Sequence, residues 1–414
     1  MSCRPLRLVH AADFHLERPL HGLSEVPEQL RERFIDAPYR AAERVFDTAL
    51  AEEADFILLS GDLLAPQSAG PRGLVFLDGQ FQRLAERDIA VFWAAGRVDA
   101  DDQMPPGITF PDNVRRFPQG EAQDFLHDRD GEAVARIIGA GYQRGSKVAV
   151  GDFRPDPTGL FTLAVAYGQV TPAALKQQRV HYLALGGRHD RFTCSASPQG
   201  AHFPGTPQGR CPDESGPHGC TVVTVDESGR PRTRFAPTDA VRWVNERVVF
   251  EAHEPLDKIG DHLVQRMQEI RQRSGEIDLV VCWSITAAGA DHNRAAAAKS
   301  LLQRLRDGFK NHSPLAWSAS LTIEPPDHRL APREHNESIL AELLRLVDQH
   351  RGDEQTIDLS EVLPDRHSGS ALASAARMDD AEQRRHLLRE VALLGSELLR
   401  PHSEANAESE ETQA

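Results

Sequence analysis

Short apolar runs alternate with longer amphipathic stretches over the first 240 residues of the chain. The runs are four to six residues long and rich in β-branched or aliphatic side chains, which is typical of buried strands. Residues 39–54 instead place apolar side chains on one face at helical spacing. This alternation predicts an α/β fold. Strands are predicted at residues 7–11, 56–60, 89–94, 161–166, 182–185 and 221–225.

The pattern changes after Trp243, where helical spacing predominates. We predict an α/β domain of residues 1–245, a smaller helical or α+β capping region of residues 246–400, and an acidic, disordered tail of residues 401–414. Residues 195–219 are rich in Pro, Gly, Ser and Thr, so we expect an ordered but irregular loop there. In the second region, helices are predicted at residues 255–274, 293–309, 338–349 and 379–399, and strands at 279–286 and 315–323.

The chain shows no sign of a membrane segment or a secretory signal. Every apolar run is shorter than ten residues, whereas a bilayer-spanning helix needs about 20. The N-terminus enters a strand-like segment with no small-residue cleavage site behind it. Five cysteines without a CxxC pair argue against a disulfide scaffold and a structural zinc site. These features predict a cytoplasmic protein that has no contact with a membrane.

The charge balance at first argues against a nucleic-acid partner. The 414 residues carry 47 Lys and Arg against 62 Asp and Glu, a formal net charge of −15 at pH 7, whereas phosphate binding depends on clustered cations. The excess is uneven, however, because residues 1–245 carry a net charge of −5 and the remaining residues −10. The acidity therefore lies mainly outside the predicted α/β domain and does not exclude DNA.

Polar side chains follow five of the predicted strands, at the point where each strand ends. Ligands of open α/β sheets bind outside the carboxyl ends of the strands, so we expect these five loops to converge. Two carboxylates and two imidazoles at one point would suit a divalent transition metal. The residues are, in chain order, Asp13 and His15; Gly61 and Asp62; Gly96, Arg97, Val98 and Asp99; Tyr167 and Gly168; and Gly186, Gly187, Arg188 and His189.

The order of these loops resembles that of the calcineurin-like metallophosphoesterases, whose loops read D-x-H, G-D, G-N-H-D, H-G and G-H-x-H. Residues 203–210 (FPGTPQGR) and 216–220 (GPHGC) further resemble the DNA repair exonuclease branch, the SbcD-like and YhaO-like proteins. The resemblance implies a metallophosphoesterase-type β-sandwich flanked by helices, followed by the smaller α+β capping region. It also implies manganese, or another divalent metal, as the cofactor. DNA and a coiled-coil SMC-like ATPase are the partners that it implies.

In the family, two metal ions share one bridging carboxylate, which corresponds to Asp62. One ion takes the D-x-H pair, the bridging carboxylate and the second His of G-H-x-H, and this chain keeps all of these ligands. A polar cluster held by hydrogen bonds, with no metal, is the alternative interpretation of the same residues. The four positions are Asp13, His15, Asp62 and His189.

The ligands of the second ion are replaced. The three positions that bind only this ion in the family carry Arg97, Tyr167 and Gly187 here. The position of the family's catalytic His carries Val98, whereas the Asp that closes this motif remains as Asp99. Two-metal hydrolysis needs both ions, so the sequence predicts a one-metal site with reduced or absent activity and assigns no catalytic residue. Val98 and Tyr167 are expected to fill the vacated space as core residues.

A permanent cation could replace part of the missing positive charge. Arg97 and Arg188 are the candidates, because each lies in a loop that carries the predicted site. A guanidinium near Asp62 could bind a phosphate oxygen as a fork, with Asp99 in support.

Two functions are consistent with the sequence. The first is a metal-dependent DNA repair exonuclease, which hydrolyses phosphodiester bonds. The alternative is a catalytically inactive phosphoesterase-fold protein that binds DNA or an SMC-like ATPase. A small-molecule phosphatase is disfavoured because the C-terminal half resembles the capping region of the nuclease branch. The oligomeric state stays open, with a homodimer among the alternatives.

Overall fold

The computed structural model describes residues 3–23, 27–195, 200–250, 254–286, 294–310 and 312–324, and separate residues between 342 and 391. The chain divides into two compact units, residues 1–285 with 291–323 and residues 286–290 with 324–414. In the second unit, the two-residue strands Ile357–Asp358 and Arg377–Met378 pair antiparallel. Among the described helices, none has both the length and the apolar character that crossing a bilayer requires.

The first unit is built from short strands and intervening helices. The strands are β1 (Leu6–Ala11), β2 (Phe56–Leu59), β3 (Ala90–Ala94), β4 (Val114–Phe117), β5 (Gln123–Arg129), β6 (Glu132–Ala140), β7 (Phe161–Tyr167), β8 (Tyr182–Gly186), β9 (Phe192–Ser195), β10 (Gly200–Phe203), β11 (Gly219–Val225), β12 (Pro231–Pro237), β13 (Val241–Val249), β14 (Asp278–Thr286) and β15 (Ala316–Glu324). The helices are α1 (Glu28–Ala51), α2 (Pro66–Ala85), α3 (Pro172–Leu175), α4 (Leu256–Arg273) and α5 (Arg294–Phe309).

Two six-stranded sheets form the body of the first unit. Their strand orders are β12-β11-β1-β2-β3-β4 and β5-β6-β7-β8-β10-β9. Strands β1 to β4 pair parallel with one another, β11 pairs antiparallel with β1, and β12 pairs antiparallel with β11. In the second sheet β6, β7, β8 and β10 are parallel, with β5 and β9 antiparallel at the edges. Parallel neighbours bring successive strand ends to the same edge of a sheet, which positions the loops of the site.

The two sheets pack face to face, and helices cover the first sheet on its outer face. Leu58 of β2 and Leu163 of β7 belong to the core between the sheets. Ile57 points the opposite way, as alternation along a strand requires, and packs in a second core with Phe46 of α1 and Phe81 of α2. Both faces of these strands are therefore buried, which explains their continuous apolar runs. The predicted α/β sandwich flanked by helices is confirmed.

A third sheet, β13-β14-β15, and helices α4 and α5 follow the sandwich in the chain. Trp243 of β13 is fully buried and packs with Phe34 of α1, 6.0 Å between ring centroids. Val280 and Trp317 of the neighbouring strands belong to the same core. The α+β character predicted for this part of the chain is confirmed, whereas the predicted domain limits at residues 245, 400 and 414 stay predictions.

Most predicted elements agree with the structure to about two residues. Helix α1 is the main difference, because it begins at Glu28 and continues through Pro38, where the apolar pattern suggested a start at residue 39. Helix α2 was not predicted, since Gly70 and Pro71 interrupt its pattern, and Gly70 is indeed a kink with non-helical φ and ψ. The predicted helices at 338–349 and 379–399 lie largely, and the tail at 401–414 entirely, outside the described residues.

Candidate metal centre

The four residues predicted to hold a metal lie together where strands of both sheets end. Asp13 and His15 follow β1, Asp62 follows β2, and His189 follows β8. Potential ligand atoms of Asp13, His15 and His189 all lie within 4.8 Å of one another. Nε2 of His15 is 3.6 Å from Oδ2 of Asp62. The loops therefore converge as predicted, while the role of these residues as metal ligands stays a prediction.

Three of the four residues have a left-handed backbone. The φ angles are 57° at Asp13, 46° at His15 and 53° at Asp62. This conformation costs an L-residue about 1–2 kcal/mol, although Asp and His adopt it more readily than most. Hydrogen bonds between the two loops offset the cost, since the Asp13 amide donates to the Gly61 carbonyl at 2.9 Å and the His15 amide to the Asp62 carbonyl at 3.1 Å. Backbone strain of this kind is common at functional sites.

The carboxylate of Asp62 is held by two of the four positions at which this chain departs from the pattern of the family that it resembles. The Val98 amide donates to Oδ1 at 2.9 Å, and the Tyr167 hydroxyl donates to Oδ2 at 2.6 Å. Burial and the charge of Asp62 both raise the pKa of Tyr167, which keeps the phenol protonated as a donor. The expectation that Tyr167 only fills space is therefore wrong, because its hydroxyl binds the oxygen that faces His15.

Asp99 has a structural position beneath the site. It is fully buried, and its carboxylate accepts hydrogen bonds from the amides of Asp62 at 3.2 Å, Leu63 at 2.7 Å and Gly96 at 2.5 Å. Three such bonds join the loop after β2 to the loop after β3. Asp99 thus supports the site through the backbone, whereas its predicted part in catalysis or phosphate binding stays a prediction.

Both candidate imidazoles have a glutamate on their Nδ1 atom. Nδ1 of His15 is 3.2 Å from Oε1 of Glu17, and Nδ1 of His189 is 2.7 Å from Oε1 of Glu214. An ionised carboxylate only accepts, so His15 donates through Nδ1–H and presents the lone pair of Nε2. Nδ1 of His189 also lies 2.9 Å from Nη2 of Arg210, which can only donate, and for this ring the shorter contact with Glu214 favours the same tautomer. Neutral imidazole with a free Nε2 is the form that binds metals.

Two buried atoms of the cluster show that a cation fits there. Within the described residues, Oδ1 of Asp13 and Nε2 of His15 have no hydrogen-bond partner although both are buried. Oδ2 of Asp13 accepts from the Gly187 amide at 2.9 Å, so only one of its oxygens is satisfied. Buried polar atoms are rarely left unpaired, and two imidazoles with carboxylates suit a divalent transition metal. The donor set fits manganese, iron and zinc alike.

Burial dominates the electrostatics of the site. It raises the pKa of Asp13 to about 7, with the Gly187 amide acting against this and the charge of Asp62 adding to it. Burial and then the charge of Asp62 raise the pKa of Asp99 to about 7 as well. Burial is also the main reason why the pKa of His15 is lowered. Several carboxylates share this buried region, and a bound cation would stabilise their ionised forms.

The two arginines proposed from the sequence lie at the rim. The Arg97 side chain is exposed, and the Arg188 guanidinium stacks over the Phe192 ring at 4.5 Å from its centroid. Neither forms a hydrogen bond or an ion pair with Asp62 among the described residues. Their proposed part in phosphate binding stays a prediction.

Sequence reasoning missed three residues of the site: Glu17, Arg210 and Glu214. Arg210 is only 3% exposed, and its Nη2 lies 2.9 Å and 3.1 Å from the two ring nitrogens of His189. Its backbone amide donates to Glu214 at 2.8 Å. Arg210 and Glu214 lie in or just after the FPGTPQGR segment, which carried part of the family resemblance, so a signal existed. Glu17 carried no sequence signal beyond its position two residues after His15.

Comparisons with known proteins were made by sequence and by structure. No protein-family model matches the chain. The chain is similar to the uncharacterized metallophosphoesterase YhaO of Bacillus subtilis (strain 168), with 29% identity over 252 residues that cover 58% of this chain and 62% of the relative. Because 62% is less than two thirds of the relative, its properties as a whole protein do not transfer.

Two of the solved structures that the comparison found share little sequence with the chain. One is a dimetal phosphatase from Danio rerio, with 11% identity, a TM-score of 0.32 and coverage of 56% of this chain and 99% of that chain. The other is vacuolar protein sorting 29 from Entamoeba histolytica complexed with Zn²⁺, with 12% identity, a TM-score of 0.25 and coverage of 56% and 100%. The sequence similarity to YhaO supports the metallophosphoesterase superfamily for this chain.

Proposed function

We propose that the chain is a metal-dependent phosphoesterase whose four candidate ligands hold one divalent ion. The observation that carries the proposal is that ligand atoms of Asp13, His15 and His189 lie within 4.8 Å of one another, with Oδ2 of Asp62 3.6 Å from Nε2 of His15. Two atoms of these residues, Oδ1 of Asp13 and Nε2 of His15, are buried without a hydrogen-bond partner in the described part of the chain. A cation is the simplest group that satisfies both. The similarity to a curated metallophosphoesterase supports the same class of chemistry.

We further propose that the substrate is a phosphodiester of DNA and that the ion is manganese. The resemblance of residues 203–210 and 216–220 to the exonuclease branch supports this substrate class. Arg97 and Arg188 supply exposed positive charge in the loops that carry the site. These cations would attract a phosphate backbone even though the whole chain is acidic.

The chain's own residues limit the reaction. A bound divalent ion would act as a Lewis acid on a phosphoryl oxygen. Val98 has no group that transfers a proton, so it cannot act as a general acid for the leaving oxygen. The Tyr167 hydroxyl occupies one oxygen of Asp62, which fixes this carboxylate but reduces its capacity to bind metal. Hydrolysis is therefore expected to be slow.

A second candidate function is a catalytically inactive protein that binds DNA or a coiled-coil SMC-like ATPase. The hydrogen bond of 2.6 Å between Tyr167 and Asp62 favours it, because it uses the carboxylate that a second ion would need. Under this proposal the single ion would stabilise the loops and present the surface for binding.

Metal content and cleavage separate the two functions. The protein would be purified with manganese, its metal per chain counted, and its cleavage of linear duplex DNA and of bis-(p-nitrophenyl) phosphate measured. Asp62→Ala is the test variant, and Asp47→Ala, at an exposed position of α1, is the matched control. Cleavage by the wild type and the control, but not by Asp62→Ala, would establish the enzyme. One bound ion without turnover would support the binding protein, and no bound ion would refute the one-metal site.

A further experiment restores the lost family residues. The four changes are Arg97→Asn, Val98→His, Tyr167→His and Gly187→His. Gly187 has a φ of 97°, and a Cβ there would lie 3.1 Å from Cζ of Tyr167. The change at Gly187 is therefore strained and requires that Tyr167 is replaced first. A gain of cleavage in the quadruple variant would show that these losses account for low activity.

A further inference from the structure

We propose that Glu17 and Glu214 are positioning residues that set the metal affinity of the site, and that Glu17 does so more strongly. The inference rests on the proposed function, since it assumes that a metal binds Nε2 of the two histidines. Neither glutamate is one of the four ligands, and each acts through the imidazole that it contacts.

Both glutamates contact the Nδ1 atom of a candidate histidine ligand. Oε1 of Glu17 lies 3.2 Å from Nδ1 of His15, and Oε1 of Glu214 lies 2.7 Å from Nδ1 of His189. The side chains of Glu17 and Glu214 are 5% and 15% exposed, so water screens these contacts only weakly. A carboxylate on Nδ1 fixes the tautomer with the proton on Nδ1 and makes Nε2 a better ligand.

Glu17 is also anchored to the loop that carries Asp62. Oε2 of Glu17 accepts a hydrogen bond from the Ala65 amide at 2.9 Å. Ala65 follows β2 in the same loop as Asp62, so Glu17 ties the orientation of His15 to the loop that carries Asp62. This contact fixes the distance between two candidate ligands, as well as the tautomer of one of them.

An arginine lies beside each glutamate, but the two arginines differ in exposure. Arg210 lies 3.2 Å from Oε1 of Glu214 and is 3% exposed, so its charge strongly offsets that of the carboxylate. Its Nη2 also lies 3.1 Å from Nε2 of His189 and can donate to that lone pair. Arg18 lies 3.4 Å from Oε1 of Glu17 but is 49% exposed, so solvent screens its charge.

The two histidines are therefore unequal ligands. His15 is supported by a buried carboxylate whose charge is largely retained, and its Nε2 has no hydrogen-bond partner among the described residues. His189 is supported by a carboxylate that Arg210 partly neutralises. Loss of the glutamate beside His15 should cost more metal affinity than loss of the glutamate beside His189.

Glu17→Gln and Glu214→Gln test the inference, with Glu132→Gln as the matched control. Glu132 pairs with Arg4 on the surface, and its side chain is 68% exposed. Binding of Mn²⁺ to metal-stripped protein would be measured by calorimetry, with thermal unfolding of each variant in parallel. Removing such a partner typically lowers metal affinity by about 10- to 100-fold. We expect a loss in that range for Glu17→Gln, a loss of less than about tenfold for Glu214→Gln, and no change for Glu132→Gln.

A measurement on the wild type keeps the inference testable if a variant fails to fold. Long-range ¹⁵N NMR of the histidine rings in metal-stripped protein should show the Nδ1–H tautomer for both His15 and His189. Observation of the Nε2–H tautomer at either ring would overturn the inference, as would a larger affinity loss in Glu214→Gln than in Glu17→Gln. Unchanged Mn²⁺ affinity in both variants would overturn the inference and leave the proposed function standing. A wild type that binds no metal would refute the proposed function itself.

Discussion

Removal of the Tyr167 hydroxyl should strengthen metal binding. In the structure this hydroxyl donates to Oδ2 of Asp62 at 2.6 Å. The same oxygen lies 3.6 Å from Nε2 of His15, so it faces the cluster of candidate ligands. An ion that takes Asp62 as a ligand through Oδ2 must compete with the phenol. Tyr167→Phe removes the competitor and leaves the ring in place.

The magnitude follows from the energy of the hydrogen bond. A bond to a charged group contributes about 1.5–3 kcal/mol to stability, and the acceptor here is buried. Each 1.4 kcal/mol corresponds to about a tenfold change in affinity. If binding of the ion breaks the bond, Tyr167→Phe should raise metal affinity by about ten- to a hundredfold. Metal-stripped Tyr167→Phe should lose about the same 1.5–3 kcal/mol of unfolding free energy, because Oδ2 of Asp62 then lacks its donor.

Calorimetric titration with Mn²⁺ and chemical denaturation of the metal-stripped protein measure the two effects. Tyr142→Phe is the control, because its ring packs edge-on against Tyr167 at 5.6 Å and loses a hydroxyl in the same way. The variant and the control should differ in affinity but not in the number of ions bound. If Tyr167→Phe bound Mn²⁺ no more tightly than the wild type, the hydroxyl would not be a competitor and the reasoning would fail.

Three further predictions concern stability. Burial, aided by Arg191, lowers the pKa of His202 to about 4, whereas an unfolded His titrates near 6.5. The unfolded state therefore binds the proton first as the pH falls from about 6.5 to 4, and the free energy of unfolding falls by up to about 3 kcal/mol. Denaturation at several pH values should show a flatter profile in His202→Gln, and an unchanged slope would contradict the assignment. A Cβ at Gly96 would overlap the backbone nitrogen and Oδ1 of Asp62. Gly96→Ala should therefore lower the free energy of unfolding by about 1–3 kcal/mol in denaturation and lower the metal content. Gly79→Ala, which has open space around the new Cβ, should have neither effect. Asp99→Ala should cost at least about 3 kcal/mol, because three amides lose their acceptor, and a loss under about 1 kcal/mol would contradict its structural role.

The parts of the fold that the sequence predicted are those with a strong local signal. Strands such as β2 and β8 are continuous apolar runs because both of their faces are buried, and the polar residues follow directly where these runs end. The convergence of Asp13 and Asp62 could then be inferred from parallel strand order, because β1 and β2 are neighbours and end at the same edge of their sheet. His189 follows β8 of the second sheet, so its approach to them depends on how the two sheets pack.

Other elements were missed even though a local signal existed. The hairpin of β5 and β6 turns at Asp130 and Gly131, which have φ angles of 56° and 78°. An Asp-Gly pair with two positive φ angles is the preferred two-residue hairpin turn. The flanking strand β5 alternates exposed and half-buried side chains, so it has no apolar run that would have drawn attention to it.

The FPGTPQGR segment drew attention to Arg210, but the contacts of Glu214 and Arg210 with His189 could not be predicted from sequence. Both residues lie in a loop without regular secondary structure, and 25 residues separate Glu214 from His189. Periodicity gives no information on where such a loop returns. Tyr167 could be placed at a strand end, but its hydrogen bond to Asp62 depends on a side-chain direction that strand alternation does not specify.

The contacts that support the candidate ligands are consistent with the proposed one-metal site. His15 and His189 are oriented by Glu17 and Glu214, which correspond to none of the positions that changed. Asp62 and Asp13 are the candidate ligands that contact the altered positions. Asp62 accepts hydrogen bonds from the Val98 amide and the Tyr167 hydroxyl, and Asp13 accepts one from the Gly187 amide. Under the proposed one-metal site, the departures at these positions would bear on Asp62 and Asp13 and leave the contacts of the two histidines with their glutamates intact.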